Sequence, residues 1–353
     1  MNTYCFNKKI HGSLLVVITA ILISAAPVPQ AGLFDSDTVI AFTLQGDLTA
    51  LFNDRGEVPG LHAVSLNMEG EQPLAIQAKV RGHFRKDKSN CSTPPLMLEF
   101  PKELPQGSLF SGQKKLKMVT PCQDDRYVVR EYLVYRLYNQ FSERSFRARL
   151  AKVTFTDDRK PDKSRTMYCF LIEDEELMAK RNGSELLERD LIRPENTEKS
   201  NFLTMALFEL MIANTDWSVQ YRQNIKLMSA TGQPVYTVPY DFDHSGIVNA
   251  PYAKPAEALQ MSSVRERRYR GYCIKDLSEF NAAIATFNAK KESVMALYNN
   301  NPLIDVKYAE ATTKYLGEFY SIINTDKKRA QVLGYPCDET GTGNVVIRGL
   351  RKQ

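Results

Sequence analysis

Histidine and tryptophan are scarce in this chain of 353 residues, which carries four of the first and one of the second. If an N-terminal leader is removed, only His62, His83 and His244 remain to act as the base of a Ser-His-Asp hydrolase. The Gly-x-Ser-x-Gly turn on which many such enzymes present their serine is absent. There is no Cys-x-x-Cys, and no histidine near the later cysteines, so the usual zinc spacings are missing. No internal repeat is visible. The basic residues behind the formal charge of +5 are spread along the chain and form no stripe, which argues against a nucleic-acid binder. The densest group, Arg265, Arg267, Arg268 and Arg270 with Tyr269 and Tyr272, reads as a solvated or phosphate-contacting face. No apolar run reaches the roughly 20 residues that a bilayer core requires.

What is present begins with a leader. Lys8, Lys9 and His11 precede an uncharged stretch from Leu14 to Ala26, and small residues and prolines follow up to Gly32. This is the three-part layout of a secretory signal, expected to span residues 1–31 with cleavage after Ala31. The competing reading, a membrane anchor, is disfavoured by the short apolar run. The mature chain is therefore expected to be exported, to the periplasm or the exterior, without a transmembrane anchor. An oxidising compartment permits disulfides. Cys91 and Cys122 flank two predicted strands that could pair, and Cys273 with Cys337 is a second candidate pair.

From Asp37 to Phe100, apolar runs at Val39 to Leu44, Leu61 to Leu66, Leu74 to Val80 and Leu96 to Phe100 are separated by turn residues, which predicts an antiparallel sheet. Lys114 to Val119 continues it, with Leu116 and Met118 on one face and Lys115 and Lys117 on the other. The period then changes, and Val129, Leu133, Leu137 and Phe141 mark a helix over Tyr127 to Phe141. Leu150 to Thr156 and Met167 to Ile172 read as strands, Asp174 to Lys180 as a short helix and the polar stretch Asn182 to Ser200 as a surface loop. A helix at Phe202 to Asn214, a hairpin at Ile225 to Met228 and Val235 to Tyr240, and helices beyond Tyr272 follow. The order predicts an α+β protein with a strand-rich part over 32–190 and a helix-rich part over 191–353.

The segments Asn214-Thr215-Asp216-Trp217-Ser218, Asn224 and Asp241-Phe242-Asp243-His244-Ser245-Gly246 gather carboxylates and amides at element ends. Oxygen ligands of this kind suit magnesium in phosphoryl transfer, and Lys117 or Arg81 could face the phosphates, with Glu131 holding the lysine. The bland alternative is that these residues form Asx-turns and helix caps. A third possibility is glycoside hydrolysis, with Asp216 and Asp241 or Asp243 as the acid and base and Tyr221, Tyr240 and Tyr252 nearby. Trp217 and Phe242 read as packing residues.

Two resemblances bear on the choice. Arg81-Gly82-x-x-Arg85, Cys91-x-x-Pro94-Pro95, Leu116-Lys117, Arg130-Glu131-Tyr132-Leu133, Ile172-Glu173-Asp174, Asn214-Thr215-Asp216-Trp217-Ser218 and Pro239-Tyr240-Asp241-Phe242-Asp243 resemble a family of exported bacterial proteins, a likeness that names no activity. More distantly, the order of these motifs from Lys79 to Gly246 resembles the spore-coat CotH-like atypical protein kinases. That resemblance implies a two-lobed kinase-like fold using ATP and Mg²⁺. It implies that Asp216 is the catalytic acid, that Asn224 and Asp241 or Asp243 are metal ligands, that Arg81 and Lys117 contact phosphates, and that the acceptor is a hydroxyl on an exported protein or other molecule. A non-catalytic envelope protein that kept the fold and uses its cleft for binding is the alternative.

Overall fold

The computed structural model describes residues 1–3 and 32–334. The expected leader and Cys337 lie outside the described residues. Within them, seven strands close into a barrel: β1 (Ile40–Gly46), β2 (His62–Asn67), β3 (Leu74–Val80), β4 (Leu96–Glu99), β5 (Lys115–Val119), β6 (Ala148–Asp157) and β7 (Lys160–Ile172). Neighbours are antiparallel except at the closing seam, where β1 runs parallel to β6 with Ile40 opposite Ala151. The sheet expected from the alternation is thus present, and it is closed rather than open. A closed barrel has no free edge to protect.

Alternation decides what each strand buries. In β3, Leu74, Ile76, Ala78 and Val80 are buried and join Phe42, Leu44, Leu98 and Leu116 in the barrel interior. The short helix α1 (Leu48–Asn53) adds Leu48 and Leu51 to that core. The start of β6 and the end of β7 are buried on both faces. Cys169 and Leu171 point into the barrel, whereas Phe170 and Ile172 belong to a second core outside it. Helix α2 (Asp125–Tyr138), N-capped by Asp124, lies against that outer face through Val129, Leu133 and Leu137. It begins two residues before the predicted start and ends three before the predicted end.

The second core is mainly helical. Asp174 caps α3 (Glu175–Arg181), and Glu198 caps α4 (Lys199–Ile212), which is apolar all round and buried accordingly. A three-stranded sheet of β8 (Glu185–Leu186), β9 (Ile225–Ser229) and β10 (Tyr236–Pro239) packs beside α4. The segment expected as a plain loop before α4 therefore contains β8 and a short turn of helix at Pro194–Asn196. Helices α5 (Asn281–Ala289), α6 (Lys291–Ala296), α7 (Val306–Ile323) and α8 (Asp326–Leu333) complete this part. Both α2 and β8 precede residue 191 in sequence, yet α2 packs in the second core and β8 pairs with β9. The fold is a mixed α/β arrangement with a strand-rich barrel and a helical part. Among the described residues no helix is long and apolar enough to cross a membrane.

The expected Cys91–Cys122 disulfide is present and suits an oxidising compartment. It ties the loop after β3 to the approach to α2. Arg55 pins the same loop, donating to the carbonyls of Cys91 at 2.7 Å and Ser92 at 2.5 Å.

Candidate functional site

The site forms where the β9–β10 hairpin meets the end of α4 and the outer wall of the barrel. Helix α4 stops at Ala213, which adopts a left-handed conformation with φ 53°. Beyond it, Asn214 Oδ1 accepts the Asp216 amide hydrogen at 3.0 Å, an Asx-turn that aims the Asp216 side chain. Asn224 precedes β9 with φ 51°, and its Nδ2 donates to the Asp216 carbonyl at 2.7 Å and to Asp216 Oδ2 at 3.1 Å. Gln223 Nε2 donates to the other carboxylate oxygen. Tyr240 N–H then donates to the Asn224 carbonyl at 3.0 Å, extending the hairpin by one rung and setting Asp241 beside Asn224. Asp241 is also left-handed, with φ 64°, a costlier conformation for a non-glycine residue that asparagine and aspartate tolerate best. Its N–H donates to Tyr135 Oη on α2 at 3.0 Å. The turn is pressed onto α4 at Gly246, where a Cβ would lie 2.3 Å from the Val264 carbonyl and 2.9 Å from the Ala213 methyl.

Three of the sequence-selected residues, Asp216, Asn224 and Asp241, thus come together. Asp243 is near them and differently engaged. Its carboxylate accepts from Arg85 Nε at 2.9 Å and from the Tyr252 hydroxyl at 3.0 Å. Arg85 also donates to Glu131 Oε2 at 2.7 Å. Glu131 therefore does not hold Lys117, as its place on the helix suggested. It faces the turn that carries Asp243, and Arg85 lies between the two carboxylates. The partner of Lys117 is Glu175 at the start of α3, with Nζ 2.9 Å from Oε2. Lys226 of β9 reaches the same oxygen at 3.0 Å. Arg81 is half-buried at the end of β3, close enough to Lys117 and Asp241 to act on both charges.

The electrostatics follow from burial and crowding. Burial pushes the Asp216 carboxyl above its usual value, opposed by His244 and assisted by Asp243. Burial and the neighbouring Asp243 likewise raise Asp241. Burial also works against the Asp243 anion, but Arg85, with help from His244 and the Tyr252 hydroxyl, outweighs it and holds Asp243 below the usual carboxylate range. Glu131 is lifted to about 8, first by burial and then by the negative charge of Asp243 and Asp241, against the pull of Arg85.

Among the described residues no three or more His, Cys, Asp or Glu side chains form a metal-binding group. Magnesium commonly relies on one or two carboxylates plus substrate phosphates. The Asp241 carboxylate accepts no hydrogen bond among the described residues, in contrast to Asp243, and with the amide of Asn224 it forms a donor set of that sparse kind.

Comparison with known proteins adds little. No protein-family model matches this chain, and no curated protein matches it, so neither comparison supports the expected close likeness to exported bacterial proteins. A solved structure, the Helicobacter pylori proinflammatory kinase CtkA, is similar at 12% identity with a TM-score of 0.40, over 64% of this chain and 90% of that one.

Several participants were not selected from sequence. Arg85 stands in a quoted motif without an assigned role, and its spacing from Gly82 was the available signal. Glu175 is the first residue of α3, and Lys226 is a lone cation between the buried Ile225 and Leu227. Arg267 and Arg270, of the arginine group read as an outward face, turn inward instead. Arg270 donates to the carbonyls of Thr215 and Trp217, and Arg267 to the Met211 carbonyl at 3.4 Å, so these guanidiniums brace the end of α4 and the Asp216 turn. At Met211 the reason is the unsatisfied carbonyls that every helix C-terminus presents. Trp217 packs, as expected, and its Nε1 donates to the Asn214 carbonyl at 3.2 Å.

Proposed function

We propose that this protein is an exported phosphotransferase of the CotH-like kind, taking a nucleotide with Mg²⁺ between its two parts and moving a phosphoryl group to a hydroxyl. One observation carries the reading: Asp216, Asn224 and Asp241 meet at one hairpin end, each on a turn that an interior helix or strand would not permit, and cations from the barrel side face them. Phosphoryl transfer needs positioning and charge neutralisation more than covalent chemistry, and this is the equipment those residues supply.

In this reading Asp216, oriented by Gln223 and Asn224, accepts the proton of the acceptor hydroxyl. Asp241 and the side-chain Oδ1 of Asn224 would hold the metal, which when bound neutralises charge on the transferring phosphate. Lys117 and Arg81 contact the phosphates. Asp243, committed to Arg85 and Tyr252, fixes the turn on which Asp241 sits.

The test is a thermal-shift titration of the mature protein with ATP, with Mg²⁺ and with both, since a ligand of the folded state raises the melting temperature by mass action. Stabilisation that requires both and vanishes in Asp241→Ala supports the reading. In Asp216→Asn the shift should persist while phosphate release from ATP, to water or to an acceptor, falls by about 100-fold or more. No shift at millimolar ATP and Mg²⁺ favours the non-catalytic envelope role, and transfer retained without Asp216 rejects its assignment.

A further inference from the structure

The two lysines of the cleft come from different parts of the molecule. Lys117 projects from β5 of the barrel and Lys226 from β9 of the second sheet, and their side chains are 17% and 20% exposed. Both ammonium groups converge on one oxygen of Glu175, at 2.9 and 3.0 Å, above the Tyr240 ring, whose centroid lies 5.5 Å from the first and 5.9 Å from the second. One carboxylate therefore answers two ammonium ions. Arg81 adds a third cation on the barrel side, and among the described residues no carboxylate lies within ion-pair distance of its guanidinium.

Cations gathered in excess and largely out of water repel one another, and the arrangement is costly unless an anion joins it. The effect is visible on Lys117. Burial lowers its pKa, and Arg81 and Lys226 lower it further, against the pull of Glu175. The free charge lies on both sides of the junction, so an anion able to satisfy it must span the junction. A single phosphate could bridge Lys117 and Lys226 as the Glu175 oxygen does, whereas a chain of two or three phosphates can engage Arg81 as well.

We infer that Arg81, Lys117 and Lys226 form one polyphosphate-binding site that bridges the barrel and the second sheet. Lys226 is its cation from the second sheet and Glu175 is the counter-ion that holds the lysines together before the ligand arrives. The ligand class is the di- or triphosphate chain of a nucleotide, bound by charge. The inference rests on the nucleotide reading above and adds a residue that neither the motifs nor that reading assign.

The experiment uses inorganic tripolyphosphate and orthophosphate without metal, at constant ionic strength, on the wild type, Lys226→Gln and Lys226→Arg, followed by calorimetric titration and thermal shift. Tripolyphosphate should bind and stabilise the wild type well beyond orthophosphate. Lys226→Gln should weaken that binding by about tenfold or more, and Lys226→Arg, which keeps the charge, should restore it to within about threefold. Cooperative unfolding of both unliganded variants verifies that each is folded. Tripolyphosphate that binds no better than orthophosphate, or binding indifferent to Lys226→Gln, overturns the site. If ATP with Mg²⁺ stabilises wild type and Lys226→Gln alike, the nucleotide reading survives and the bridging site fails. If tripolyphosphate binds through Lys226 but ATP with Mg²⁺ gives no stabilisation, the site survives and the phosphotransferase reading fails.

Discussion

Two ionic clusters flank Asp241, and they solve the problem of buried charge in opposite ways. Around Glu175 the cations are in excess, the side chains retain some contact with water, and Arg81 has no ion-pair partner among the described residues. Around Arg85 the carboxylates are in excess, but Arg85 and the Tyr252 hydroxyl satisfy Asp243, and burial raises the Glu131 pKa, which eases the surplus of negative charge. The second cluster is closed by its own members except at Glu131 Oε1, which has no hydrogen-bond partner among the described residues, whereas the first remains short of negative charge. A set of buried charges that balances itself is read most simply as architecture, and one that does not is a place for a ligand.

Removing the central charge of the closed cluster should have the largest effect. Arg85→Met leaves Glu131 and Asp243 without their cation at side-chain exposures of 2% and 8%. A loss of about 3–5 kcal/mol is expected in urea unfolding, the size seen when one partner of a buried pair is deleted. Lys226→Gln leaves Glu175 with Lys117 and should cost less than about 1 kcal/mol. Equal losses in the two variants would erase the distinction between the clusters.

A smaller effect, read against pH, concerns Glu131. Its carboxyl moves from 4.5 to about 8 on folding, so the folded chain retains a proton that the unfolded chain gives up. The stability it contributes is complete below the unfolded value and is lost as the pH climbs through about 8. Asp243 runs the other way: its depressed pKa adds stability that is lost only as the pH falls below the usual carboxylate range. Glu131→Gln keeps an oxygen for Arg85 and cannot titrate. Its unfolding free energy should therefore be flatter than that of the wild type across the upper window and unchanged in slope at acid pH, and parallel curves would show that Glu131 stays ionised beside Arg85.

The same contrast accounts for what was legible in the sequence. Strands such as β3 and β5 could be read because alternation is a local pattern, and α2 because a stripe of residues four apart is local too. Barrel closure was not, since it pairs Ile40 with Ala151 across most of the first half of the chain. The helix α1, six residues long, is too short to show a period, and the polar first half of β7 carries no apolar alternation. At the site, Asp216, Asn224 and Asp241 were found because their signal is a short motif. The partners of Lys117 and Glu131 were not, because which charge meets which is decided by how α2, α3 and β9 pack. Adjacency along the chain suggested Lys117 with Glu131, and packing exchanged both partners.

An ion pair outside the cleft separates pairing from burial. Lys79 and Glu99 meet at 2.7 Å on the outer face of the barrel, at side-chain exposures of 36% and 34%, as a diagonal pair offset by two residues because Lys79 faces Met97 and Glu99 faces Gln77. The pair balances one charge with one, as compactly as any contact in the closed cluster. Water, however, reaches both groups, so each loses little solvation when the pair forms and regains it when the pair is broken. Lys79→Gln should therefore change the urea-unfolding free energy by less than about 1 kcal/mol, and by still less in high salt. A loss approaching that of Arg85→Met would mean that pairing alone, and not the withdrawal of Glu131 and Asp243 from water, makes the closed cluster structural.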